Sequence, residues 1–194
     1  MVFTLDLDTI KILGILGAIL MIASIFLTSL SWLAGAILVL ISLYYLAQTY
    51  NERGIFDYAL YGFILALVPA FLVLLVFIGW FTVSMSMRMP MHGNWPFTIW
   101  GWGFTDLWML VALIVLFTLV LSGYFFYKSM DLLSLKSGVG IFRIAGILTL
   151  AGAATLIVFF LGALLLLVSW IILAIGFSSL KHPATPSGSA GVQA

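Results

Sequence analysis

Met85, Met87, Met89 and Met91 alternate strictly, and His92 follows them. In an extended segment alternate side chains share a face, so four thioethers would line up together. Thioethers are soft ligands that suit Cu(I), and an imidazole can join such a set. The competing reading is that methionine acts here as flexible apolar filler, packed on a bilayer surface or on tryptophans. The chain has no cysteine to reinforce a metal site and rule out the filler. The filler reading is the stronger, so no cofactor is expected, and Cu(I) is the one alternative this sequence suggests.

Catalytic sets fare less well. Ser84 or Ser86, His92 and Asp106 have the residue types of a hydrolytic triad, but nothing in the sequence positions them. Asp6 and Asp8 are two apart and would not share a helix face. Gly138-Val139-Gly140 lacks the rest of any phosphate-binding fingerprint. The expectation is a protein that is not an enzyme.

The same stretch, 84–105, is rich in aromatic residues: Trp95, Trp100, Trp102 and Phe104. Trp100-Gly101-Trp102-Gly103-Phe104 alternates, and His92-Gly93-Asn94 between two prolines reads as a turn. This pattern predicts a small outer β-hairpin with strands near 84–89 and 97–104, or else an irregular loop among lipid headgroups. Either way the aromatics form a candidate contact surface for a partner.

The elements that would position this stretch follow from composition. The chain is 65% hydrophobic and 7% charged, with a mean hydropathy of +1.32. Soluble domains are about one quarter charged, so lipid is the natural solvent for this chain. A net charge of +1 gives no argument for nucleic-acid binding. Asp6 and Asp8 near the start are unlike the basic region of a signal peptide.

Residues 12–50 and 144–180 carry no charge. Each run is too long for one crossing of about 30 Å of hydrocarbon at about 1.5 Å per helical residue. Each therefore reads as two spans. The predicted fold is an all-α polytopic bundle of six transmembrane helices, about 11–29, 32–50, 56–83, 106–127, 142–160 and 162–180. Asp8 and Thr9 are candidate caps of the first helix, Pro69 a bend in the third, and Asp106 the start of the fourth. Residues 128–142 read as a polar connector, and the tail from 181 to 194 as a flexible arm.

Six spans put both termini on one side. Lys11, Arg53, Lys128, Lys136, Arg143 and Lys181 fall on that side and Arg88 on the other, which accounts for all seven Lys and Arg residues. That asymmetry places both termini in the cytoplasm and 84–105 outside the cell membrane. Lys128, Lys136 and Arg143 then become candidate contacts for anionic lipid.

Two further patterns are legible. Lys11-Ile-Leu-Gly-Ile-Leu resembles Arg143-Ile-Ala-Gly-Ile-Leu, and the stretch 41–47 resembles 168–174, at offsets of 132 and 127 residues. The first and last hairpins are thus candidate parallel repeats. Gly14 and Ala18 have the spacing that lets helices approach closely, here within the fold.

The opening Lys11-Ile-Leu-Gly-Ile-Leu-Gly, the stretch Gly54-Ile-Phe-Asp-Tyr-Ala-Leu-Tyr-Gly62, and the closing Phe142-Arg-Ile-Ala-Gly and Trp170-Ile-Ile-Leu-Ala-Ile-Gly-Phe carry a resemblance. Over about 10–180 the chain resembles an archaeal family of multi-pass membrane proteins catalogued as a domain of unknown function. The resemblance implies an archaeal cell membrane and brings no catalytic residues.

The function expected from all this is a structural or accessory subunit of a larger membrane assembly, with the bilayer and other membrane subunits as partners. A small transporter or channel for a neutral solute is the first alternative. It calls for a polar mid-membrane cavity lined by residues such as Ser42, Gln48, Thr118, Ser122 or Ser169. Outer-face Cu(I) handling by the methionines is the second.

Overall fold

The computed structural model describes residues 6–24, 29–86, 98–157 and 159–180. It contains six α-helices: α1 (Leu7–Ala23), α2 (Ser29–Thr49), α3 (Gly54–Ser86), α4 (Thr98–Ser137), α5 (Ile141–Ala154) and α6 (Phe159–Ser178). A 3-10 turn, Thr155–Ile157, follows α5. No described residue is in a strand. The all-α expectation therefore holds.

Several boundaries differ from those the sequence suggested. The β-hairpin is not formed at its ends, because α3 runs through Ser86 and α4 starts at Thr98; residues 87–97 lie outside the described residues. Helices already dozens of residues long propagate through the local Trp-Gly alternation, since each added residue contributes one more backbone bond. The connector at 128–142 is also mostly helix. α4 continues through Lys128, Asp131 and Lys136 to Ser137, and Asp106 sits inside it. Charged residues end a membrane span but do not end a helix. Helix α4 stops at Gly138, whose φ of 71° is left-handed. The Gly138 N–H donates back to the Ser134 carbonyl at 3.0 Å, an αL cap.

The start of α1 needs a similar correction. Asp6, extended at φ −60° and ψ 141°, is the N-cap and makes no side-chain cap bond. Asp8 and Thr9 lie inside the first turn, and the Asp8 carboxylate meets Lys11 Nζ at 3.2 Å. Pro69 stands within α3, which continues past it. Helix α2 ends in a Schellman turn. Asn51 takes a φ of 50°, and the Glu52 N–H donates to the Ala47 carbonyl at 2.9 Å.

Each helix packs chiefly on its neighbours in sequence, and α6 closes on α1, so the six form a ring. α1, α3 and α5 start at one end of the ring, and α2, α4 and α6 finish there. Three helical stretches are long and apolar enough to cross a membrane: Ser31–Thr49, Met109–Ser137 and Phe160–Ser178. Ile141–Ala154 is a shorter apolar helix, and Gly54–Pro69 is an apolar stretch within the longer α3. This is fewer than the six crossings expected. The 14 residues of α5 are too few for a 30 Å layer at about 1.5 Å each.

The ring is built from one hairpin used three times. In the first, Ser42 Oγ of α2 donates to the Ile10 carbonyl of α1 at 3.0 Å. In the second, Ser129 Oγ of α4 donates to the Ile55 carbonyl of α3 at 2.5 Å. In the third, Ser169 Oγ of α6 donates to the Ala145 carbonyl of α5 at 2.7 Å. Seven residues along each first helix stands a glycine: Gly17, Gly62 and Gly152. Each glycine faces the backbone of a small residue seven before the serine: Gly35, Ser122 and Gly162. Each also faces the bulky residue four further on: Val39, Phe126 and Leu166.

Two helices can approach this closely only where one side has no Cβ. A Cβ on Gly17 would lie 2.9 Å from the Gly35 carbonyl oxygen; one on Gly62 would lie 3.0 Å from that of Ser122. One on Gly152 would lie 3.2 Å from that of Gly162. The expected parallel repeat of the first and last hairpins is thus present, with two amendments. The middle hairpin is a third copy. The contacts also superpose α1 on α5 at an offset of 135 residues (Ile10 on Ala145, Gly17 on Gly152), one helical turn from the 132 of the apolar match.

The core fills the end of the ring where the termini lie. Ile10, Leu43, Leu46, Ile55, Met130, Leu133, Phe142, Leu173 and Phe177 are all fully buried there. Leu46, Leu133 and Leu173 stand four residues beyond the three serines, at equivalent positions of the three hairpins.

Candidate functional site

A cavity of about 190 Å³ lies in the half of the ring away from this core, and all six helices line it. Its wall follows the repeat. Met21 of α1, Ala66 of α3 and Leu156 of the 3-10 turn after α5 stand at equivalent positions of the three hairpins, and all three line it. So do Val39, Phe126 and Leu166 of the second helices. All three hairpins therefore contribute equivalent positions to the cavity wall. Trp32 and Trp170 are its largest side chains. Trp32 stacks on Phe63 at 6.2 Å between α2 and α3, and Trp170 meets Phe126 at 5.7 Å between α6 and α4.

The hydroxyls at its wall are already committed. Ser122 donates to the Gly62 carbonyl at 2.7 Å, and Thr149 to the Ala145 carbonyl at 2.9 Å. The Thr149 and Ser169 hydroxyls also lie 2.6 Å apart, and with one proton each they make two at a time of the three bonds within the set of Ala145 carbonyl, Thr149 and Ser169. A neutral-solute path asked for free polar groups at Ser42, Gln48, Thr118, Ser122 or Ser169. Ser42, Thr118, Ser122 and Ser169 instead bond to backbone carbonyls. Gln48 is exposed and lines a separate surface groove with Tyr44, Asn51, Arg53 and Asp57.

The charged residues gather at the other end. Lys136 Nζ lies 3.0 Å from Glu52, and Arg143 Nε 3.2 Å from Asp131. Lys128 Nζ sits 4.6 Å over the Tyr58 ring. The three cations expected to meet lipid headgroups therefore each have a partner within the protein. They tie α4 to the α2–α3 connector, to α5 and to α3. Exposed pairs of this kind contribute about 0–1 kcal/mol, so they mark where the helices meet more than they hold them together.

Tyr50 occupies the position of Phe177 in the repeat. Its ring packs on the core, and its hydroxyl is buried with no hydrogen-bond partner among the described residues. Burial raises its pKa above the ordinary phenol value. Tyr50→Phe removes the unsatisfied group, so it is expected to stabilise the fold by up to about 1 kcal/mol. Thermal unfolding in detergent measures this, and a clear loss of stability would mean the hydroxyl has an acceptor.

Among the described residues no three His, Asp or Glu side chains are grouped to hold a metal. Met87, Met89, Met91, His92 and Trp95 lie outside the described residues. Met85 lies in α3, where the extended geometry that aligned the four thioethers does not apply. Trp100, Trp102 and Phe104 lie on the first turns of α4.

What the sequence reading missed is the cavity and the threefold repeat that frames it. The signal lay in the seven-residue spacing of a few serines and small residues.

A ring of apolar helices, with most of its hydroxyls turned onto its own backbone and most of its charges at one end, defines an all-α bundle in which three helices are long and apolar enough to cross a membrane. The chain belongs to the family described as "Protein of unknown function (DUF996)", whose model matches residues 31–171, from the start of α2 into α6. It is 30% identical over 178 residues to the uncharacterized protein MJ1644 of Methanocaldococcus jannaschii, covering 91% of this chain and 94% of that one. No solved structure matches the chain.

Proposed function

We propose that the protein is a non-catalytic subunit of a larger archaeal membrane assembly, docked through the α3–α4 hairpin. Both termini and the charged end face the cytoplasm in this reading, and 84–105 faces out, which the distribution of Lys and Arg supports.

The length of the hairpin carries this reading. From the serine level upward, α3 rises 31 residues, from Ile55 to Ser86, and α4 rises 31, from Ser129 to Thr98. α1 rises 13 from its equivalent point, Ile10, to Ala23. The hairpin therefore overshoots its neighbours by about 27 Å at 1.5 Å per residue. The 33 residues of α3 span about 50 Å, and fitting them into 30 Å of hydrocarbon needs a tilt of roughly 50°, beyond the usual 0–40°.

The flank of the hairpin is apolar all the same. Met109, Leu113 and Phe117 form a stripe on α4, 67%, 62% and 70% exposed, and Phe71 and Leu75 stand exposed on α3. An apolar rod longer than the bilayer is thick needs another apolar surface along the excess.

A photo-crosslinking side chain at Leu113, in native membranes, tests the reading. It should yield a discrete adduct with a second kind of chain, whereas the same group at Ile19 on α1 should label lipid. Labelling of lipid alone from position 113, or an adduct only between copies of this chain, overturns the accessory role.

A further inference from the structure

We propose that the cavity binds a single hydrocarbon chain, the tail of a bilayer lipid, that enters between α2 and α3. The inference does not depend on the docking role of the hairpin.

Four observations carry it. The wall is apolar at equivalent positions of all three hairpins, so the hole is a feature of the architecture and not a local packing fault. The hydroxyls at the wall, Ser122 and Thr149, already donate to backbone carbonyls, so water would find few partners. Apolar cavities of about 150 Å³ stay dry and take up benzene-sized hydrocarbon, and this one is larger. Finally, the wall has a thin seam. Within the ring α2 and α3 share the slightest interface, and the Trp32–Phe63 stack at 6.2 Å bridges it.

The occupant's chemistry follows. A polar solute would leave its own groups unpaired at this wall. The core of Leu46, Leu133, Phe142 and Phe177 closes the far end, so the cavity is a pocket and not a conduit. A bilayer offers acyl or isoprenoid tails at high local concentration alongside the α2–α3 seam.

The test uses the full chain keeping only its two wall tryptophans, Trp32 and Trp170, reconstituted into vesicles of phosphatidylcholine brominated on its tails. Bromine should quench their emission. Ala36→Phe, and separately Ala66→Leu, fill the cavity and should relieve most of that quenching, while Leu113→Phe on the outer flank should not. Equal quenching in filled and unfilled proteins overturns the proposal, because bromine then reaches the two tryptophans from outside.

Native mass spectrometry of the wild type after detergent exchange gives a second reading that needs no cavity variant. One retained phosphatidylcholine per chain is expected, with occupancy about tenfold lower in Ala66→Leu, since the added side chain takes up the volume a tail would fill. A wild type that retains none overturns the proposal even if both filled variants fail to fold.

Discussion

Gly162→Ala is expected to destabilise the bundle by about 2–3 kcal/mol, although alanine is the better helix former by roughly 1 kcal/mol. The reason is what the new methyl group would meet. A Cβ at 162 would lie 2.7 Å from Leu156 Cα, 2.8 Å from its nitrogen and 2.9 Å from the Gly152 carbonyl oxygen. All three are backbone atoms, so no rotamer change relieves the clash. Helix α6 would have to move off α5, and the Ser169 to Ala145 hydrogen bond would lengthen with it. Gly140→Ala is the control, because nothing lies within 4 Å of a Cβ there and its φ of −60° suits any residue. Chemical unfolding of both variants in the same detergent gives the comparison. Equal stabilities would mean that the close approach of the hairpin helices does not hold the ring together.

The same glycine shows how far the sequence could be read. Apolar runs broken by charge gave six helices, because chain length against bilayer thickness is a local argument, but the same rule ended the fourth at 127, and α4 runs on to Ser137. The repeat was half seen. Matching Lys11-Ile-Leu-Gly with Arg143-Ile-Ala-Gly aligned strings of interchangeable aliphatic residues, and it missed the true register by one turn. The informative positions are the few that touch backbone: Ser42, Ser129 and Ser169 with Gly17, Gly62 and Gly152. Apolar neighbours can be swapped while these cannot, so the pattern is sparse and easily hidden in a chain that is 65% hydrophobic.

The hairpin at 84–105 failed for the opposite reason. Alternation of Met and of Trp-Gly is a local strand signal, and the long helices on either side overrode it up to Ser86 and from Thr98. The cavity was beyond reach altogether, since it depends on how six helices close into a ring.

Leu46→Ala, Leu133→Ala and Leu173→Ala should cost nearly the same, each about 2–3 kcal/mol. Such truncations cost about 2–5 kcal/mol in soluble cores, where the lost transfer from water adds to the cavity left behind. In a bilayer the unpacked side chain faces lipid tails instead of water, so the cavity term dominates and the lower part of that range applies. Equality follows from the repeat. Each leucine is fully buried, four residues past its hairpin's serine, in one cluster with Phe142 and Phe177. The pairs should also couple. Residues sharing a cavity depart from additivity by about 0.5 kcal/mol or more, whereas distant sites add to within a few tenths. The double variant Leu46→Ala/Leu173→Ala should therefore differ from the sum of its singles, because the second truncation enlarges a hole the first has opened. Steric-trap or chemical unfolding in bicelles measures all four proteins. Three unequal single losses with strict additivity would mean that the leucines lie in separate packing environments, and that the repeat does not extend to the core.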